Sequence, residues 1–270
     1  MSELYETIRY EREADIGTLT LERPEKRNAL NPRMLEELAQ LGAVLVTDET
    51  LRCLIVKGEG STFSAGLDVV EGMAGAIADL AERTEDKDAR AAGAAIAGTF
   101  CWIPDLGCAS VAAVRGHAYG AGLQLALACD FRIFAEATKV GLLETRYGLL
   151  PDMGATVRLP RIVGESRARE LILLGEVIDA AEALRIGLAN RMVAAEELDA
   201  AAAELARRLA AQPPIAVRGA RRAIDAAWYR GPEESFRVAL EAQTRCLASE
   251  DFKEGRQAML DGRSPEWRGR

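Results

Sequence analysis

Three short apolar runs constrain the fold most strongly. "LRCLIVKG" (Leu51 to Gly58), "ASVAAVRG" (Ala109 to Gly116) and "CDFRIFAE" (Cys129 to Glu136) are apolar over several consecutive residues and end in charge or glycine. A strand with one wet face alternates apolar and polar residues; a run apolar at successive positions must be covered on both faces, as inside a parallel sheet. Helix-like segments recur between such runs up to about residue 195, which gives an α/β fold class with helices packed against sheets. "GTLTLER" (Gly17 to Arg23) alternates threonine and leucine as a half-buried strand does. "NPRMLEELAQLGAVL" opens with Asn31 as N-cap and Pro32 at N1, and Leu35, Leu38, Gly42 and Leu45 share one face of the helix that follows. Alanine-rich "DARAAGAAIAG" (Asp88 to Gly98) has the composition of a packed helix rather than a linker.

Beyond residue 195 the strand signals stop. "AAEELDAAAAELARRLAAQ", "PIAVRGARRAIDAAW", "PEESFRVALEAQTRCLASE" and "EDFKEGRQAMLDG" are successive helical stretches divided by proline or charge. The expected organisation is an α/β core over residues 1–195 and a helical region over 196–270. Leu198, Leu205, Leu209, Trp228, Phe236 and Leu247 give that region apolar faces, to close on a core of its own or to dock on another subunit.

Charge narrows the partners. With 34 Lys+Arg against 42 Asp+Glu the chain carries a formal -8, which argues against nucleic acid, and an anionic ligand must find local basic residues. The five cysteines are scattered, with no CxxC and no Cys/His ligand set, so they read as reduced thiols; a single histidine, His117, excludes a multi-histidine metal site. The start "MSELYETIRYERE" is charged, and no apolar run approaches the roughly 20 residues that span a bilayer. The expected location is cytoplasmic, with no membrane partner.

Two turns carry the chemistry. In "GSTFSAGLDVV" (Gly60 to Val70) a strand ends near Lys57, and Ser64, Ala65 and Gly66 leave the following peptide N–H groups uncrowded. "HAYGAGLQLALACD" (His117 to Asp130) repeats the arrangement ahead of a buried helix, whose first N–H groups are free donors at the positive end of its dipole. Two such turns can converge on one oxygen and hold a thioester enolate, an arrangement in which one lost donor costs about 2.7–4 kcal/mol. They can equally serve tight strand–helix packing alone.

Their order and sequence carry a resemblance. "RPEKRNALN" (Arg23 to Asn31), "FSAGLD" (Phe63 to Asp68), "VRGHAYGAGLQLALACDFRI" (Val114 to Ile133) and "GLLETRYGLLPDMGATVRLPRIVG" (Gly141 to Gly164) resemble the successive signatures of the enoyl-CoA hydratase/isomerase (crotonase) superfamily over most of the chain. The resemblance implies a spiral of repeated strand–strand–helix turns, a helical carboxy-terminal region that builds trimers or hexamers, and an acyl-CoA substrate with no further cofactor or metal. It puts the oxyanion donors at the backbone N–H groups of Leu67 and Ala121, beside Gly66, Gly120 and Gly122. It lays CoA along Lys26, Arg27, Ala29, Leu30 and the turn Ala65, Gly66, Asp68 and Val69.

Hydratases of this family carry a glutamate at the positions of both Gln124 and Glu144. A glutamine cannot take up a proton at neutral pH, so it can orient a water or carbonyl or tie up a buried network, but cannot act as general base. Glu144 is then the expected base. Asp152, where hydratases usually carry glycine, pairs with Glu144 as in dienoyl-CoA isomerases, or else caps a helix beginning near Met153. The expected reaction is isomerisation, 3-enoyl to 2-enoyl or dienoyl; hydration of 2-enoyl-CoA and non-catalytic acyl-CoA binding are the alternatives. A serine-hydrolase reading of Ser64, His117 and Asp68 fails because Thr62 stands where the nucleophile elbow needs glycine, and "GHAYGAGLQ" does not fit a dinucleotide fingerprint. Cys101 and Cys108 are expected to pack a helix against its neighbour, and Leu80 to Arg90 to be a solvated run.

Overall fold

The computed structural model describes residues 5–83 and 85–270. Residues 1–4 of the charged start, and Thr84 in the run Leu80 to Arg90, lie outside them.

Strands β1 (Ile8–Glu13) and β2 (Ile16–Leu21) form an antiparallel hairpin. Onto β2 the chain adds, all in parallel, β3 (Cys53–Gly58), β4 (Ala109–Val114), β6 (Phe131–Ala135) and β9 (Arg191–Val193). A small second sheet holds β5 (His117–Tyr119), β7 (Lys139–Gly141) and β8 (Val177–Asp179). The three apolar runs are β3, β4 and β6, and both of their faces are buried. Leu54, Val56, Ala112, Val114 and Phe134 enter the main core, while Cys53, Ile55, Val111, Ala113, Ile133 and Ala135 point to the other side. Period-two alternation of two apolar sets is what the continuous runs require.

Helices cover both faces. On the main-core side lie α1 (Pro32–Leu45), α3 (Lys87–Ala97), α4 (Trp102–Asp105), α5 (Ala121–Ala128), α6 (Ala155–Val163), α7 (Glu165–Leu174) and α8 (Ala180–Arg185), while the short α2 (Ala78–Glu82) before α3 buries no residue. Helix α1 starts as its sequence predicts: Asn31 caps it by accepting the Met34 N–H, with Pro32 in the first turn. The opposite face is closed by α9 (Leu198–Ala210), whose Leu198, Ala202, Leu205 and Ala206 complete the second cluster.

Strands β3, β4 and β6 are each followed by a short segment of the second layer and then by a helical turn. After β4 come β5 and α5; after β6 come β7 and a 3-10 turn, Glu144–Tyr147. After β3 the second layer shrinks to a one-residue bridge, Ser64 with Ala118, before a π-helix at Val69–Ile77. These stacked turns are the strand–strand–helix spiral that the resemblance implies.

The last helices, α10 (Pro214–Tyr229), α11 (Pro232–Ala248) and α12 (Glu250–Asp261), extend past the sheet. Arg221 fastens α10 to the body, reaching Asp130 at 3.0 Å and the Ile103 carbonyl at 3.2 Å, and also the Leu106 carbonyl. The end of the chain folds back, with Asp251 accepting the Arg268 and Gly269 N–H groups and Arg52 donating to the Trp267 carbonyl. Of the apolar residues expected in this region, Leu198 and Leu205 are buried against the sheet, whereas Trp228, Phe236 and Leu247 are exposed. All five cysteines are free; Cys108 is buried as expected of a packing residue, but Cys101, expected to pack likewise, precedes α4 and is exposed. Among the described residues no helix is long and apolar enough to cross a membrane.

Candidate active site

The first turn is built on a wedge of side-chain hydrogen bonds. Arg27 and Asn28 both adopt a left-handed backbone, φ 52°, a conformation that asparagine tolerates better than most residues. The buried Asn28 amide fixes it, donating to the carbonyls of Glu59 (2.9 Å) and Thr62 (2.7 Å) and accepting the Arg23 N–H. Ser64, fully buried, donates to the Asn28 carbonyl at 2.8 Å and accepts the Gly66 N–H at 3.2 Å. Its hydroxyl is spent on the backbone, which leaves no nucleophile there.

Leu67 follows, in a parallel bridge with Leu30. The Leu30 N–H donates to the Gly66 carbonyl (2.8 Å) and the Asp68 N–H to the Leu30 carbonyl (2.9 Å). In such a bridge the groups on either side of the central residue face the partner, so the Leu67 N–H itself points the other way.

The second turn packs against Ser64 and Gly66 of the first. Tyr119 N–H donates to the Ser64 carbonyl at 3.1 Å, and Gly120 (φ 50°) leads into α5, so that Ala121 offers one of the unpaired first N–H groups of the helix. Gly66 must be glycine twice over. Its φ is 94°, and a Cβ there would stand 2.7 Å from the Tyr119 carbonyl oxygen and 3.7 Å from Ala121 N. Gly122 allows the same approach from the other side, since a Cβ would meet the Ser64 Cβ at 2.6 Å.

Glu144 reaches these turns from the 3-10 turn that follows β7. The Gly120 N–H donates to the Gly141 carbonyl at 2.9 Å, which sets the end of β7 beside the turn; a Cβ on Gly120 would lie 3.3 Å from Glu144 Oε1. Gln124, 1% exposed and one helical turn into α5, donates through Nε2 to Glu144 Oε1 at 2.8 Å and accepts the Ala155 N–H at 3.1 Å. The amide serves because one end must donate and the other accept. Glu144 Oε2 is buried and has no hydrogen-bond partner among the described residues. Burial is the main influence that pushes the Glu144 carboxyl above its ordinary range; hydrogen bonds from its own backbone N–H and from Gln124 oppose this, and the charge of Asp152 adds to it.

Asp152 is exposed. It caps no helix: α6 begins at Ala155 behind Gly154, whose φ is 109°, and no side chain caps it. The helix start expected near Met153 is displaced because this left-handed glycine turns the chain first.

The remaining expected residues divide by exposure. Lys26 and Arg27 are exposed and, among the described residues, make no salt bridge, while the Arg27 carbonyl accepts the Ala65 N–H at 2.9 Å. Ala29 and Leu30 are buried, Val69 is exposed, and the Asp68 carboxylate turns inward to Arg23. Sequence reasoning assigned no role to Arg23, Asn28 or Glu71; the left-handed preference of asparagine is the one signal that pointed to any of them. An apolar pocket of about 290 Å³ borders Leu67, lined also by Leu35, Ala39, Ile77, Ala95 and Ile96. A larger cleft, about 990 Å³, runs between α10, α11 and the body and shares no lining residue with Glu144, Leu67 or Ala121. Among the described residues no cluster of His, Cys, Asp and Glu is arranged to hold a metal ion.

The comparisons with known proteins agree. The enoyl-CoA hydratase/isomerase family matches residues 11–270. Crotonyl-CoA hydratase of Syntrophomonas wolfei is 34% identical over 260 residues, covering 96% of each chain. Carnitinyl-CoA dehydratase of Citrobacter koseri is 34% identical over 270 residues, 98% of this chain and 99% of the relative. The crystal structure of an enoyl-CoA hydratase from Bacillus anthracis superposes with a TM-score of 0.88 at 32% identity, covering 98% of this chain and 100% of the other. The chain belongs to the enoyl-CoA hydratase/isomerase, or crotonase, family: it is an enzyme of acyl-CoA thioesters.

Proposed function

We propose that this enzyme moves a carbon–carbon double bond along an enoyl-CoA. The thioester oxygen lies between the Leu67 and Ala121 N–H groups. Glu144, ionised, takes a proton from the α carbon of a 3-enoyl-CoA; the electron pair passes to the thioester oxygen, and the two donors stabilise the resulting dienolate. The protonated Glu144 exchanges its proton with water and then protonates the γ carbon, leaving the 2-enoyl product. On a dienoyl substrate, exposed Asp152 is the second proton carrier. Lys26 and Arg27 meet the CoA phosphates, and the pocket beside Leu67 takes the acyl tail. The chemistry draws on these protein groups and the substrate's own thioester, with no further cofactor.

One observation carries this reading: the side chain bonded to Glu144 is an amide and not a second carboxylate. Adding water across a double bond employs one group to activate the water and another to handle the α proton, and the position facing Glu144 is an amide with both of its ends already bonded. The second reading, hydration of 2-enoyl-CoA or the reverse dehydration, is favoured by the names of the two relatives. Under it, Glu144 and the remaining Gln124 N–H hold the water between them.

Mass spectrometry of 2-enoyl- and 3-enoyl-CoA incubated with the enzyme in deuterated water separates the two. Isomerisation gives deuterium uptake and bond migration without added water. A whole water gained by the 2-enoyl substrate, with no migration from the 3-enoyl one, establishes hydration instead.

A further inference from the structure

Arg23 stands at the end of β2 with its side chain only 10% exposed. Nη1 donates to the Ala29 carbonyl at 2.7 Å and to Asp68 Oδ2 at 3.2 Å; Nη2 donates to Glu71 Oε1 at 3.1 Å. The other Glu71 oxygen accepts from Asn31 Nδ2 at 2.8 Å, and Asp68 Oδ1 accepts the Val70 and Glu71 N–H groups, each at 3.0 Å. One guanidinium thus grips both chain segments that meet in the Leu30–Leu67 bridge: the residue before Leu30 and the residue after Leu67. A planar fork with fixed donors holds two segments at a set angle, which a flexible ammonium does not.

The second part of the argument is charge. Asp68 follows directly the residue whose N–H faces the thioester oxygen. Burial disfavours its ionised form, but the backbone N–H groups and Arg23 outweigh that and keep its carboxyl below the ordinary range, so Asp68 is an anion. An uncompensated anion one residue from the oxyanion opposes the charge that develops in the transition state. Arg23 is the cation placed against it.

We propose that Arg23 is a positioning residue for the oxyanion pair: it fixes the direction of the Leu67 N–H by clamping Ala29 to Asp68, and it cancels the Asp68 charge beside the enolate. This rests on the reading of Leu67 as an oxyanion donor. Arg23 does not touch the substrate, so its effect falls on the transition state more than on binding.

The test uses Arg23→Lys, which keeps the charge and loses the fork, and Glu71→Gln, which leaves Arg23 in place and weakens one anchor. The readouts are kcat and KM for isomerisation and the carbonyl stretch of carbonyl-¹³C 2-enoyl-CoA bound to each protein, by isotope-edited infrared spectroscopy. In the parent enzyme the bound carbonyl band is expected below its position in water. Arg23→Lys is expected to lower kcat about ten- to a hundredfold, the cost of a slightly misplaced group, with KM changed less than about twofold and the band shifted back toward the free value. Glu71→Gln moves the same quantities the same way by less: the Glu71 carboxylate is 49% exposed and screened by water, so its loss loosens the clamp more than it relieves charge beside the enolate. A carbonyl band unchanged in folded Arg23→Lys overturns the proposal, whatever happens to kcat; should that variant not fold, an unchanged band in Glu71→Gln overturns it. A parent enzyme whose bound carbonyl is not shifted at all removes Leu67 as a donor, and the role of Arg23 with it.

Discussion

At the scale of single residues the site is an arrangement of constraints on one carboxylate. Glu144 is half-buried, one of its oxygens is bonded to an amide and the other is buried with no hydrogen-bond partner among the described residues, which makes it a stronger base than a solvated glutamate. A base works deprotonated, so raising its pKa moves the acid limb of the kcat/KM profile to higher pH. Asp152 adds to that rise, and Asp152→Asn is therefore expected to shift the limb to lower pH, by less than removal of the burial would. A pH–rate profile checks this, and an unmoved limb separates Asp152 electrically from Glu144. Much of this was legible in the sequence, since the amide at Gln124 is visible there as a lost titrating group. Its partner at Ala155 was not, because the start of α6 depends on a left-handed Gly154. Arg23 was invisible for another reason: its side-chain partners lie 45 and 48 residues away.

At the scale of elements, the strands and the first helix follow from pattern and capping. The buried runs became β3, β4 and β6, and Asn31 with Pro32 started α1. The strands β5, β7 and β8 were not legible, because three residues are too few to display a period. Nor was the π-helix Val69–Ile77, whose wide turn has no sequence signature of its own; such turns occur often at functional sites. Between it, α1 and α3 lies the pocket proposed for the acyl tail. Ala95→Phe is expected to fill it from the α3 side, lowering kcat/KM for long tails by about one to two orders of magnitude while sparing a four-carbon substrate. A chain-length series of enoyl-CoA substrates reads this directly, and a uniform loss at every length places the tail elsewhere.

At the scale of the whole molecule, α9 belongs to the sheet while α10 to α12 carry apolar side chains outward. Phe236 is 75% exposed, with Trp228 and Leu240 also well exposed. A monomer rarely leaves so many large apolar groups in water, and we propose that this region joins subunits into a trimer or hexamer. Sedimentation velocity of the whole chain is expected to show three or six copies, and Phe236→Lys with Leu240→Lys to reduce that number; a monomeric parent contradicts it. Sequence showed which of these residues are apolar. It could not say that Leu198 and Leu205 face the sheet while Phe236 faces out, since that depends on where Arg221 fastens α10.

The most direct test of the whole account is α-proton exchange, followed by NMR, of a 3-enoyl-CoA in deuterated water with the parent enzyme and with Glu144→Gln. The site described here predicts rapid exchange with the parent and a loss of about two to four orders of magnitude in the variant, as expected when a general base is removed. Exchange at the parent rate in a folded Glu144→Gln would take the proton away from Glu144 and contradict the mechanism.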